Sequence, residues 1–96
     1  MVDDRTLLLY IDEALRTRIQ PPPEAAGDGV WELWIDAMEV DGIVGGLISE
    51  ATSGGRKQLD ATVCAHRALE AHPEWREVIG SRYDLLTDAV SILIRI

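Results

Sequence analysis

The 96 residues include no phenylalanine, no asparagine, one cysteine and one lysine. The solitary Cys64 cannot close an internal disulfide, which fits a reducing compartment. The opening MVDDRTLLLYIDE carries acids where a secretory signal needs Lys or Arg, and no uninterrupted apolar run approaches the roughly 18 residues of a membrane span. A cytoplasmic protein that does not cross or bind a membrane is the expectation. With eight arginines against one lysine, residue types with AT-rich codons are scarce, as expected of a GC-rich bacterial or phage genome.

Positive charge is missing from one half of the chain. Residues 1–50 hold eleven acids and three arginines, a balance of −8, whereas residues 51–96 hold six acids and six bases, a balance of zero. A nucleic-acid or anionic-membrane binder needs a positive patch to displace counterions from phosphate, so both classes are disfavoured. The natural partner is basic. An apolar fraction of 47% against 27% charged residues is that of an ordinary globular protein, and the length suits one domain over residues 1–96.

Hydrophobic spacing predicts helices throughout. Leu8, Ile11, Leu15 and Ile19, widened by Leu7 and Ala14, mark a first helix over residues 4–20, with Asp3 or Asp4 as N-cap. It ends at Pro21-Pro22-Pro23, which open a loop reaching residue 29. With Asp28 as cap, Leu33, Ala37, Val40, Val44, Leu47 and Ala51 then define a second helix to about residue 52, whose apolar face Trp31, Trp34, Ile35 and Met38 broaden. Gly42, Gly45 and Gly46 either break it near Asp41-Gly42 or admit another backbone closely. Leu59, Val63, His66 and Leu69 mark a third helix. After His72-Pro73, a fourth runs through Trp75, Ile79, Tyr83, Leu86, Val90 and Leu93, with a kink at Gly80-Ser81. The expected fold is all-α, a small up-down bundle of about four helices with both termini at one end. Residues 90–96 also alternate in twos with β-branched side chains, so a strand pairing with Leu7–Ile11, and hence an α+β fold, is the alternative.

The segment VWELWIDAMEVDGIVGGL, residues 30–47, holds two tryptophans, four acids, three glycines and no base. Asp28, Glu32, Asp36 and Glu39 are spaced to share one helical face. A solvated face accounts for such a stripe as well as a docking surface does. Trp31 and Trp34 flank it and fit core packing, yet a tryptophan beside carboxylates can also stack on an arginine that those carboxylates bind.

Catalytic and metal patterns are absent. His66 and His72 lack the Glu three residues upstream that a di-metal bundle requires, and they do not share a helix face; Glu70 is placed to pair with His66. Cys64 sits among Ala61, Ala65 and Ala68 like a small buried hydrophobe, two residues from His66 and pointing elsewhere. Ser53-Gly54-Gly55-Arg56-Lys57 misses the phosphate-loop spacing and reads as a turn between helices.

The expectation is therefore a non-enzymatic interaction module without metal or cofactor. It would act as an inhibitor, immunity-like protein or regulatory adaptor, docking a basic protein surface through Asp28, Trp31, Glu32, Trp34, Asp36 and Glu39. The alternative is a structural subunit assembling through the apolar C-terminal helix. There Val90, Ile92, Leu93, Ile94 and Ile96 would form the oligomer interface, in the simplest case of a homodimer.

Overall fold

A computed structural model describes residues 2–17 and 19–96; Arg18, in the expected first helix, lies outside them. The described residues form α1 (Asp4–Leu15), α2 (Asp28–Thr52), α3 (Leu59–Ala71), α4 (Trp75–Ile79) and α5 (Ser81–Arg95), with no strand among them. Helix covers 74% of the described residues, and the all-α expectation holds. The C-terminal segment is helical to Arg95, so the strand alternative is not realised.

Several helix boundaries have an identifiable cause. Asp3 caps α1, its carboxylate accepting the Thr6 N–H at 2.8 Å. The helix stops at Leu15, five residues short of expectation, and the Arg82 guanidinium donates to the carbonyls of Leu15 and Thr17 that its end leaves without intrahelical partners. The N-cap of α2 is Gly27, and Asp28 falls in the first turn, so its expected capping role is corrected to a charge beside the helix N-terminus. At the far end Gly54, at φ +88°, takes the left-handed conformation and Gly55 donates to the Glu50 carbonyl at 2.9 Å, a Schellman closure. Gly80 adopts φ +58° and splits the expected fourth helix in two.

The glycines within α2 do neither of the two things expected of them. The helix runs unbroken for 25 residues, and a Cβ at Gly42, Gly45 or Gly46 would meet nothing within 4 Å. Burial of Ala37, Val40, Val44, Leu47 and Ile48 holds the helix together despite them. Each large aliphatic side chain fully buried contributes roughly 1.5–3 kcal/mol.

Polar contacts fix the topology. Arg5 near the start of α1 donates to the carbonyl of Thr52 at the end of α2, at 2.9 Å. Arg95 at the end of α5 pairs with Asp4 at 3.3 Å. Lys57, just before α3, donates to the Leu93 carbonyl near the end of α5, and the Tyr83 hydroxyl donates to the Leu69 carbonyl. Hence α1, α2, α3 and α5 alternate up and down, with the two termini at one end. The short α4 packs on α2 and α5.

Val90, Ile92 and Leu93 lie in this shared core beside Leu8, Val44, Ile48, Leu69 and Leu86. They are therefore removed from the expected oligomer interface: α5 is covered by α1, α2 and α3 of its own chain, leaving only Ile94 and Ile96 of that set exposed.

Candidate protein-interaction face

The most prominent surface of the molecule is the N-terminal half of α2. Asp41, midway along α2, is bonded to Arg82 at the start of α5, and from there the two helices run in parallel. Residues 28–40 consequently extend past the first turn of α5 and the end of α1. A 25-residue helix measures about 37 Å, most of the 43 Å longest dimension of the protein. On its inner side this half rests on α4; near its tip Val30 adjoins Pro21, Pro22 and Pro23.

The clamp that holds it is the one buried ion pair among the described residues. Arg82 Nε and a terminal nitrogen meet the two Asp41 oxygens at 2.6 and 2.8 Å, and Arg82 also donates to the Thr17 carbonyl at 2.8 Å and to that of Leu15. The guanidinium thus joins α1, α2 and α5 with a fork that a lysine could not reproduce. Nothing in the local sequence marks it, because its partners lie 41 to 67 residues away.

Asp28, Glu32, Asp36 and Glu39 are all exposed, as the helical spacing implies. None of them forms an ion pair with a described base. Elsewhere in the acidic half, Asp4, Asp12 and Asp41 each have an arginine partner. The tryptophans divide. Trp31 and Trp34 meet edge to face, with centroids 6.0 Å apart and planes at 74°. Trp34 packs on the core and lines a cleft with Leu15, Ile19, Met38 and Arg82, its indole N–H buried without an acceptor. Trp31 is half-buried and stays at the edge of the acidic face.

Ile35 departs from expectation. The helical spacing puts it with the apolar face, but it is 48% exposed, between Glu32, Asp36 and Glu39, and Ile43 two turns on is 49% exposed. Ile35 sits three residues after Glu32 and four before Glu39, so the acid spacing itself could have placed it outside. The surface therefore alternates carboxylates with isolated apolar side chains. It continues into a groove between α2 and α3 lined by Gly42, Ile43, Gly46, Ala61 and Cys64. The exposed Cys64 corrects the expectation of a buried thiol: its side of α3 faces this groove rather than the core.

The remaining polar candidates are engaged structurally. His66 pairs with Glu70 at 3.1 Å on the surface. His72 stacks on Trp75 at 4.6 Å and bonds Glu74 at 2.8 Å, and that hydrogen bond is the main reason the Glu74 carboxyl lies below its ordinary pKa. Lys57 is occupied at the end of α5, so the Ser53–Lys57 turn does not present a free lysine to an anion. Among the described residues no group of three or more His, Cys, Asp or Glu is placed to hold a metal, and no helix is long and apolar enough to cross a membrane.

No family model matches this chain, and no match to a curated protein or a solved structure was found.

Proposed function

We propose that the chain is a non-enzymatic interaction module that docks a basic protein through the outward face of α2, acting as an inhibitor, immunity-like protein or recruiting adaptor. The observation that carries this reading is the exposed row Asp28, Glu32, Asp36 and Glu39, without described ion-pair partners and with Ile35 among them. Ile35, 48% exposed at the centre of the row, offers an apolar side chain among the carboxylates. A docking face can use that combination, since apolar anchors supply affinity while surrounding charges steer the encounter and set register. Trp31 adds an aromatic edge on which an incoming guanidinium can stack. The same negative field repels phosphate, which speaks against nucleic acid as the partner.

The test uses basic proteins encoded next to this chain as candidate partners, followed by stopped-flow Trp fluorescence at several salt concentrations. Replacing Glu32, Asp36 and Glu39 together by Gln and Asn should leave the helical spectrum intact, slow association and flatten its salt dependence. A carboxylate whose partner charge becomes buried is worth roughly 2–5 kcal/mol, and one at the rim close to nothing. Ile35→Ser should weaken binding without destabilising the fold. If affinity and salt response survive both changes, the row is only a solvated face and the proposal fails.

A further inference from the structure

The acidic row of α2 does not stop at Glu39 but runs in line with the groove between α2 and α3. Gly46 lies 18 residues after Asp28 in the same helix, about five full turns, so the two face the same way. Glu32, Glu39 and Ile43 fall within about 60° of the line joining them, and Glu50 continues it. This side of α2 therefore extends over residues 28–50, about 33 Å, and contains no base. Its first half presents carboxylates without described ion-pair partners. Its second half presents Ile43, 49% exposed, beside Gly42 and Gly46.

The second half is a groove because both walls lack bulk. Gly42 and Gly46 of α2 line it with Ala61 and Cys64 of α3, and about 570 Å³ is left open, space for more than one leucine-sized side chain. A Cβ at either glycine would meet nothing within 4 Å.

Two properties of this surface select what fits it. The charge pattern is complementary to a segment with cations over one half of its length and large apolar side chains on the same face of the other half. The backbone groups along α2 and α3 are engaged in their own helical hydrogen bonds, so an extended peptide laid in the groove finds no main-chain partner there. A helix arrives with its backbone already satisfied. Small residues on both walls also allow a third helix to approach to the usual spacing of about 8–10 Å.

We infer that the partner docks through a basic amphipathic helix laid along α2, its cations over Asp28, Glu32, Asp36 and Glu39 and its apolar side chains in the α2/α3 groove at Gly42 and Gly46. The inference rests on the docking role proposed above and adds to it the form of the partner and the groove as the second half of the site.

The probe is a synthetic peptide of about 20 residues, long enough as a helix to cover most of this face. It carries Leu at helical spacing in its N-terminal half and Arg on the same face of its C-terminal half, where cations also suit the helix end. Cys64, exposed in the groove, reports occupancy through its rate of alkylation by iodoacetamide. With wild-type protein the peptide should bind, gain helicity at 222 nm and slow alkylation at least about tenfold at saturation. A peptide of the Arg half alone should leave the rate unchanged, and the full peptide with a central Pro should bind at least about tenfold more weakly. Gly46→Leu, which fills the groove from a helix position that favours Leu over Gly, and Ile43→Ser, at an exposed site, should each weaken binding of the full peptide while keeping the fold by circular dichroism and the salt dependence of binding. A peptide that does not bind, that binds without gaining helicity or protecting Cys64, or that binds both groove variants like the wild type would overturn the inference. If those failures come with weaker, less salt-dependent binding of the Arg half to the Glu32, Asp36 and Glu39 triple variant, the acidic docking face survives without the groove. Binding of the Arg half that is indifferent to the triple variant removes the docking face and the inference together.

Discussion

Replacing Arg82 by Met is the most informative single perturbation of the fold. The change keeps an unbranched side chain of similar reach but removes four hydrogen bonds: two to Asp41, one to the Thr17 carbonyl and one to the Leu15 carbonyl. Asp41 is left as a carboxylate with a side chain only 12% exposed and no counter-charge. Breaking a buried pair from one side costs about 3–5 kcal/mol. The Leu15 carbonyl, in a buried residue, adds desolvation loss, whereas that of exposed Thr17 finds water. We expect about 4 kcal/mol in total, against the 5–15 kcal/mol of a typical domain. With a urea slope of roughly 1–3 kcal/mol per M, the midpoint should fall by about 2 M, read by circular dichroism at 222 nm and by Trp34 fluorescence. Arg82→Lys should recover little, because an ammonium cannot span both Asp41 oxygens and the α1 carbonyls. The double variant Arg82→Met, Asp41→Leu should regain much of the loss, since an apolar pair leaves no charge stranded. A single-variant cost below about 1 kcal/mol, or a double variant whose cost equals the sum of the singles, would refute the clamp as described.

Two further predictions concern backbone and pH. Gly46→Ala in α2 should stabilise by about 1 kcal/mol, because the helix interior favours Ala and the added methyl meets nothing within 4 Å, whereas Gly80→Ala should destabilise by about 1–3 kcal/mol from its φ of +58°; in urea denaturation, loss of stability in the first or gain in the second would contradict the corresponding assignment. The Glu74 carboxyl is held below its ordinary pKa chiefly by the hydrogen bond from His72. Its stabilisation is in place above the unfolded pKa and is lost as pH falls through the lower folded value, so Glu74→Gln should flatten the acid limb of stability in that window and leave it unchanged if the bond is absent in solution.

Much of the architecture was legible because it is written in local periodicity. The apolar spacings of Leu8–Ile11–Leu15 and Val40–Val44–Leu47 report the inner faces directly, and Pro21–Pro23 and Gly80 punctuate the chain through backbone chemistry that needs no context. The misplacements share one cause, which is contact between distant segments. The end of α1 at Leu15 is met by an arginine 67 residues away. Val90, Ile92 and Leu93 looked like surplus apolar surface, yet α5 is covered on three sides because it contacts α1, α2 and α3 at once. Ile35 and Cys64 erred the other way: each sits in an apolar-rich segment whose inward face cannot be chosen until its neighbours are known. The acid spacing placed the carboxylates correctly, but the fork from Arg82 to Asp41 left no trace at either position.

The energetics of α2 connect the fold to the proposed surface. Asp28–Glu32 and Glu32–Asp36 are like-charge pairs four residues apart, and Asp36–Glu39 three apart, each costing roughly 0.2–0.5 kcal/mol. Gly42 and Gly46 on the exposed side cost roughly 1 kcal/mol apiece relative to Ala. The outer face is thus unfavourable by on the order of 3 kcal/mol, a large share of a marginal stability. None of it is required inside the molecule: the carboxylates have no described ion-pair partners, and no other part of the chain approaches the places where the glycine side chains would be. Neutral or alternating charges at 32, 36 and 39, and alanines at 42 and 46, would give the same bundle more stably, whereas Asp28 is favoured beside the helix N-terminus. A face that departs from helix-forming preference in both charge and glycine content, while the inner face of the same helix follows it closely, fits the docking role proposed above, in which a bound partner would offset that cost. If α2 docks a partner as proposed, its carboxylates, exposed along the first turns of a 25-residue helix, are placed to meet an oppositely charged surface.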